Sequence, residues 1–216
     1  MSKTCCIFGA GEYGSLTLTT QQLGGGLIIA ADGGYGWLKD HGIIPHLAVG
    51  DFDSLGHIPE DTEVLKHPVE KDDTDMLLAV REGLARGCTR FLIYGGLGGR
   101  LDHTLANLHV LDFLARRDCA AFLLSEDTAV TAVHQGSLSF SPEHRGTLSL
   151  FCWGGPAEGV TLTGLRYPLD NGILTPDFPL GVSNEFGGQP ANITVAQGTV
   201  IALWSQPQAS SLPLHI

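Results

Sequence analysis

The feature that most constrains this chain is a change of rhythm part-way along it. In the first part, short apolar runs at residues 4–8, 27–31, 47–49, 91–94 and 120–124 read as strands. Two of the intervals between them read as helices. Residues 76–86 place Met76, Leu77, Ala79, Val80 and Leu84 on one apolar face, and Gly87 follows where a helix C-cap belongs. Residues 104–117 space Leu105, Leu108, Leu111 and Leu114 along a helix that ends at Arg116 and Arg117, near its negative dipole end. Strands alternating with helices imply an α/β unit with a mostly parallel sheet and flanking helices. From about residue 128 the rhythm changes. Residues 128–133, 137–140, 147–153, 160–162, 193–196 and 199–204 are short β-prone runs broken by Gly, Pro and Asn. With no long amphipathic helix between them, they predict an antiparallel sandwich or barrel. The tail after Trp204 reads as loose polar chain.

In an open α/β sheet, ligands sit at the carboxyl ends of the strands, so the informative residues should follow each strand. Charge narrows the ligand. With 12 Lys and Arg against 23 Asp and Glu, the net charge is −11 and no basic run occurs. Nucleic-acid binding, which rests on neutralising phosphates, is therefore not expected. An acidic chain can still take a polyphosphate when a divalent cation screens the charges. The apolar runs fall far short of the roughly 20 residues that span a bilayer, and the N-terminus lacks the apolar stretch of a signal peptide. The expectation is a soluble, cytoplasmic protein with no membrane partner. Five cysteines, an odd number without a Cys-x-x-Cys pair, fit buried thiols in a reducing compartment.

Four loops carry the chemistry. Gly9-Ala10-Gly11-Glu12-Tyr13-Gly14 matches the G-x-G-x-x-G of dinucleotide sites, and Asp32 ends the second strand. The helix this motif should open, at 15–22, is β-prone and lacks an apolar face. Asp32 is also followed at once by Gly33-Gly34, so it belongs to a second tight loop. The nicotinamide reading is set aside on those grounds. Next, Gly50-Asp51-Phe52-Asp53-Ser54 follows the strand at 47–49. In extended backbone, carboxylates at i and i+2 point the same way and repel unless a cation lies between them. Mg²⁺, which takes one or two carboxylates plus phosphates and water, suits that pair better than a solvated turn does.

The third loop, Lys71-Asp72-Asp73-Thr74-Asp75, opens the helix at 76–86. Asp73 or Thr74 serves as an N-cap and Asp75 meets the helix dipole, which explains one carboxylate but not three. Lys71 is available to a phosphate. Finally, Gly95-Gly96-Leu97-Gly98-Gly99-Arg100-Leu101-Asp102-His103 joins a strand to a helix. Its glycines leave backbone N–H groups to cradle phosphate, and Arg100 offers a planar fork to phosphate oxygens. It is not a Walker A loop, because no Gly-Lys-Ser/Thr follows.

In this order, Asp32-Gly33-Gly34, Gly50 to Ser54, Asp73-Thr74-Asp75 and Gly95 to Asn107 resemble thiamine pyrophosphokinases. The later Gly164-Leu165-Arg166-Tyr167-Pro168-Leu169 and Ser183-Asn184-Glu185-Phe186 extend the resemblance across nearly the whole chain. The resemblance implies a Rossmann-like α/β ATP-binding catalytic domain over residues 1–127. A smaller all-β sandwich domain, binding thiamine and forming a homodimer, would follow over 128–216. By the same resemblance Asp51, Asp53 and Asp75 form a Mg²⁺–phosphate centre, with Asp73 and Asp32 close by. Asp32, Gly33, Lys71, Gly96, Gly98, Gly99, Arg100, Asp102 and His103 would contact ATP. Ser183 and Asn184 would contact thiamine in a cleft between subunits. The implied reaction moves a diphosphate from ATP to the thiamine hydroxyl. A pyrophosphokinase for another hydroxymethyl heterocycle, such as a pterin, or a non-catalytic nucleotide or thiamine binder, are the alternatives.

Overall fold

The computed structural model describes residues 3–16, 18, 23–52, 58–66, 73–206 and 211–215. Among them the chain is mostly strand, with 14 strands, three helices and both parallel and antiparallel pairing. It divides into two compact units, Met1–Val110 with Asp118–Ser125, and Leu111–Arg117 with Glu126–Ile216.

The first unit holds β1 (Thr4–Phe8), β2 (Leu27–Ala31), β3 (Leu47–Gly50), β4 (Glu63–Lys66), β5 (Arg90–Tyr94) and β6 (Ala120–Leu124). All neighbours pair in parallel, in the order β4-β3-β2-β1-β5-β6. β1, β2, β3 and β6 are almost wholly buried, as strands covered on both faces must be. The direction of winding reverses between β1 and β5, which makes their carboxyl ends the place for a ligand. β4 was not expected: four residues with Glu and Lys at the ends carry no usable periodicity.

The helices are α1 (Gly34–Asp40), α2 (Asp75–Ala85) and α3 (Leu101–Ala115), the last turns of α3 counting with the second unit. α2 and α3 lie where the leucine spacing puts them. Thr74 is the N-cap of α2, its Oγ1 accepting from the Leu77 N–H at 3.2 Å. At the other end Gly87, at φ 79°, closes the helix, with Gly87 N–H donating to Leu84 O and Cys88 N–H to Gly83 O. α1 stands where two glycines argued for a tight loop. A Cβ on Gly34 would lie 1.9 Å from the Phe8 carbonyl oxygen, so only glycine lets α1 settle against β1. Tyr35 and Leu38 bury the rest of that face, and the Tyr35 hydroxyl donates to Asp61 at 2.6 Å. Of the weak helix at 15–22, residues 17 and 19–22 lie outside the described residues; the others are not helical.

The second unit holds β7 (Thr128–His134), β8 (Ser137–Phe140), β9 (Thr147–Thr163), β10 (Leu169–Leu174), β11 (Asn184–Glu185), β12 (Ala191–Thr194), β13 (Gln197–Ser205) and β14 (Leu214–His215). Pairing is antiparallel, in the order β14-β8-β12-β9-β13-β7, with β10 and β11 also on β9. The runs at 147–153 and 160–162 are one 17-residue strand that changes partners along its length. The tail is less loose than its composition implies. Trp204 Nε1–H donates to Gln206 Oε1 at 2.6 Å and both residues are buried, while 207–210 lie outside the described residues. No helix among the described residues is long and apolar enough to cross a membrane.

All five cysteines are free thiols; Cys5, Cys6, Cys88 and Cys119 are buried and Cys152 is half-buried. Burial pushes the Cys6 thiol up to about 12 and raises Cys5 and Cys88 as well. A neutral, buried thiol is a poor nucleophile. A thiol-reactive chromogenic disulfide at pH 8 should therefore titrate at most Cys152 in the native protein and all five cysteines after denaturation. Two or more fast thiols in the native protein would contradict this packing.

Candidate functional site

Two loops meet backbone to backbone at the carboxyl ends of β1 and β5. The Gly9 N–H donates to Tyr94 O at 2.8 Å, Gly11 N–H to Gly95 O at 2.9 Å, and Glu12 N–H to Leu97 O at 3.3 Å. A Cβ on Gly11 would stand 2.5 Å from the Gly95 oxygen, and one on Gly9 2.7 Å from it. The glycines that imitate a dinucleotide motif are therefore accounted for by this close approach. Tyr13 anchors the first loop: its hydroxyl donates to Gly9 O at 2.6 Å and its ring stacks on Trp37 at 4.4 Å. Burial raises the Tyr13 hydroxyl well above its ordinary range.

The second loop is held from α3. Asn107, 7% exposed, donates through Nδ2 to the carbonyl of Gly96 at 2.7 Å. Gly98 (φ 78°) and Gly99 (φ 61°) take left-handed conformations that a side chain would strain. Arg100 turns toward Asp102, with Nε 3.1 Å from Oδ1 and Nη2 2.5 Å from Oδ2. The guanidinium holds the Asp102 carboxyl below its usual range, and the His103 N–H adds a bond at 3.0 Å.

The acidic loops approach the same place. Asp32, at φ 47°, donates its N–H to Val49 O at 2.8 Å, and a Cβ on Gly50 would lie 3.2 Å from the Asp32 Cα. The ends of β2 and β3 are thus in contact, and Asp51 follows directly. Phe52 is buried with φ 60°, a rare conformation for a bulky side chain. The backbone is not extended there, so the alternation argument for Asp51 and Asp53 does not hold as stated. The Phe52 ring is instead buried in the core. Asp53 and Lys71 lie outside the described residues. The residues at the start of α2 divide by role: Thr74 caps, Asp73 pairs with Arg81 at 2.5 Å, and Asp75 occupies the first turn.

A cavity of about 520 Å³ opens between these loops, within the size range of small-ligand sites. Asp32, Asp75, Gly96, Gly98, Gly99, Arg100 and His103 line it. Gly33, Asp51, Asp73 and Asp102 are not among the residues that line it. Glu12 and Asn107 line it too, and neither had been given a role from sequence. The signal for Glu12 was its place in the loop directly after β1, which the dismissed motif obscured.

Among the described residues no group of three or more His, Cys, Asp or Glu is arranged to hold a metal ion. The donor chemistry nonetheless fits Mg²⁺. Asp32 and Asp75 share one cavity, and Mg²⁺ needs only one or two carboxylates when phosphate and water supply the rest.

Ser183 and Asn184 belong to the second unit. Ser183 is exposed at φ 60°, its N–H donating to Ser149 Oγ at 3.0 Å. Asn184 is buried and works as a clamp. Its Oδ1 accepts from Tyr167 N–H and Glu185 N–H, and its Nδ2 donates to Tyr167 O at 2.7 Å. Arg166 pairs with both oxygens of Glu185 at 2.9 Å across the same turn.

Residues 24–123 match the family described as "Thiamin pyrophosphokinase, catalytic domain" and residues 137–200 match "Thiamin pyrophosphokinase, vitamin B1 binding domain". The chain is 31% identical over 186 residues to the thiamine pyrophosphokinase of Bacillus subtilis, covering 83% of this chain and 87% of that one. This chain belongs to the thiamine pyrophosphokinase family. A crystal structure of the Bacillus subtilis enzyme is similar, with a TM-score of 0.81 and 27% identity, over 94% of this chain and 99% of that one. The Enterococcus faecalis family protein gives a TM-score of 0.78 and 27% identity, over 96% and 100% of the two chains. These matches do not favour the pterin alternative.

Removing the Asn107 amide leaves the buried Gly96 carbonyl without its partner, at about 1–3 kcal/mol. Asn107→Ala should lower the melting temperature by roughly 2–12 °C at about 2–4 °C per kcal/mol. Asp73→Asn, which breaks a partly exposed pair, should lower it by no more than about 3 °C. Differential scanning calorimetry checks both, and an unchanged Asn107→Ala midpoint would contradict the assigned clamp.

Proposed function

We propose that this chain transfers the diphosphate unit of ATP to the hydroxyl of thiamine, giving thiamine diphosphate and AMP. The observation that carries this reading is the cavity at the β1–β5 switch point. It is walled by two interlocked glycine loops and by the first turn of α2, in a chain of this family.

The backbone N–H groups of Gly96, Gly98 and Gly99 hold the triphosphate, aided by the field at the start of α3. Arg100, oriented by Asp102, and His103 bind it from the loop end, with Asp32, Gly33 and Lys71 completing the ATP contacts. Asp51, Asp53 and Asp75 would hold a Mg²⁺ ion, which when bound neutralises phosphate charge and charge developing on the leaving oxygen. Asp73, paired with Arg81, fixes the entry of α2 from which Asp75 projects. The hydroxyl oxygen of thiamine bonds to the β-phosphorus as the bond to the bridging α–β oxygen breaks, and AMP leaves with that oxygen. The hydroxyl proton passes to a carboxylate of the aspartate set. Positioning and charge neutralisation supply most of the rate, as in phosphoryl transfer generally.

Ser183 contacts thiamine, while Asn184 acts through the turn it clamps. An acidic chain favours the cationic thiazolium ring. The domains on this reading are a Rossmann-like ATP-binding part over 1–127 and a sandwich for thiamine binding and dimerisation over 128–216. The protein works in the cytoplasm as a homodimer with thiamine between subunits.

Incubated with ATP, Mg²⁺ and thiamine, the protein should release AMP and thiamine diphosphate in equal amounts. Release of ADP or phosphate instead would overturn the reaction assigned. Asp75→Asn removes charge with little change of volume. It should lower kcat by at least about a hundredfold, the order seen when one charge-stabilising group is lost, with the melting temperature nearly unchanged. Near-native turnover would remove Asp75 from the centre.

A further inference from the structure

The cavity carries one acidic group that the reaction as written does not use. Glu12 lines it together with Asp32 and Asp75, against a single guanidinium, that of Arg100, among the described lining residues. Arg100 is itself turned to Asp102. Glu12 is not simply a solvated side chain on a free loop. Its N–H is bonded to Leu97 O at 3.3 Å, and the preceding Gly11 N–H to Gly95 O at 2.9 Å, so its position is set by the glycine loop. The side chain leans over that loop: a Cβ on Gly98 would stand 2.8 Å from Glu12 Oε2 and 3.0 Å from its Cδ. Tyr13, stacked on Trp37 and bonded to Gly9 O, holds the next residue in place. A carboxylate is therefore fixed directly beside a backbone that would receive polyphosphate.

We propose that Glu12 is a specificity-determining residue that makes this loop accept ATP as its divalent-cation complex and disfavour the free nucleotide. The inference rests on the reading of the cavity as the ATP site. At pH 7 free ATP brings close to four negative charges to a lining that already has three carboxylates. Pairing two of those charges with a cation halves the net charge that Glu12 faces and so weakens the repulsion. Between charges a few ångströms apart near a protein surface, such repulsion is large enough to change affinity about tenfold or more.

The test is binding rather than turnover, with no thiamine present. Calorimetric titration measures the Kd of wild type and Glu12→Gln for ATP in EDTA and for ATP in excess Mg²⁺. Glu12→Gln, an isosteric change at an exposed position, should bind free ATP about tenfold tighter than wild type, with no more than about a threefold change for the Mg²⁺ complex. Glu12→Asp, which keeps the charge, should discriminate as wild type does. Equal affinity of wild type and Glu12→Gln for free ATP would overturn the proposal, as would equal tightening for both forms of ATP. If neither protein bound the Mg²⁺ complex, the ATP-site reading itself would fall, and this proposal with it.

Discussion

Everything at the site depends on two glycine loops lying flat against each other. The N–H groups of Gly9 and Gly11 reach the carbonyls of Tyr94 and Gly95, at distances that leave no room for a side chain on either glycine. This contact ties the end of β1 to the end of β5, where the parallel sheet reverses its winding. It also fixes the second loop from below, while Asn107 fixes it from α3. The result is a stretch of backbone held open and rigid before any ligand arrives, which is what a phosphate cradle requires.

The acidic residues are organised around that frame. Gly50 packs on Asp32, so the turns after β2 and β3 share one place. Around α2, capping, pairing and lining fall to Thr74, Asp73 and Asp75 respectively. Like charges brought together this way are costly unless a cation accompanies them. On the proposed reading, that cost calls for a divalent ion and favours a metal-complexed nucleotide.

Much of this was legible in the sequence, and the reasons differ by element. β1, β2, β3 and β6 are almost wholly buried and β5 is buried on one face, and all read as apolar runs, while α2 and α3 show helical spacing of their apolar residues. α1 was hidden because Gly33-Gly34 signals a turn, yet Gly34 is there for its closeness to Phe8. β4, β11 and β14 are too short to show a period. The break assumed within β9 came from its glycines, three of which, Gly154, Gly155 and Gly159, have positive φ inside a continuous strand. Among the site residues, Asn184 illustrates what spacing cannot show. Its presence in a motif implied ligand contact, whereas its amide is engaged with the backbone of Tyr167 and Glu185. Glu12 was hidden inside a pattern that resembles a different cofactor's motif.

Hydrogen–deuterium exchange with and without Mg²⁺ and ATP tests the central claim most directly, because it reports where the nucleotide sits without requiring turnover. Protection should concentrate in peptides covering residues 9–14 and 95–103, with that of 137–163 little changed. Protection confined to the later segment, or none at the two glycine loops, would contradict the account.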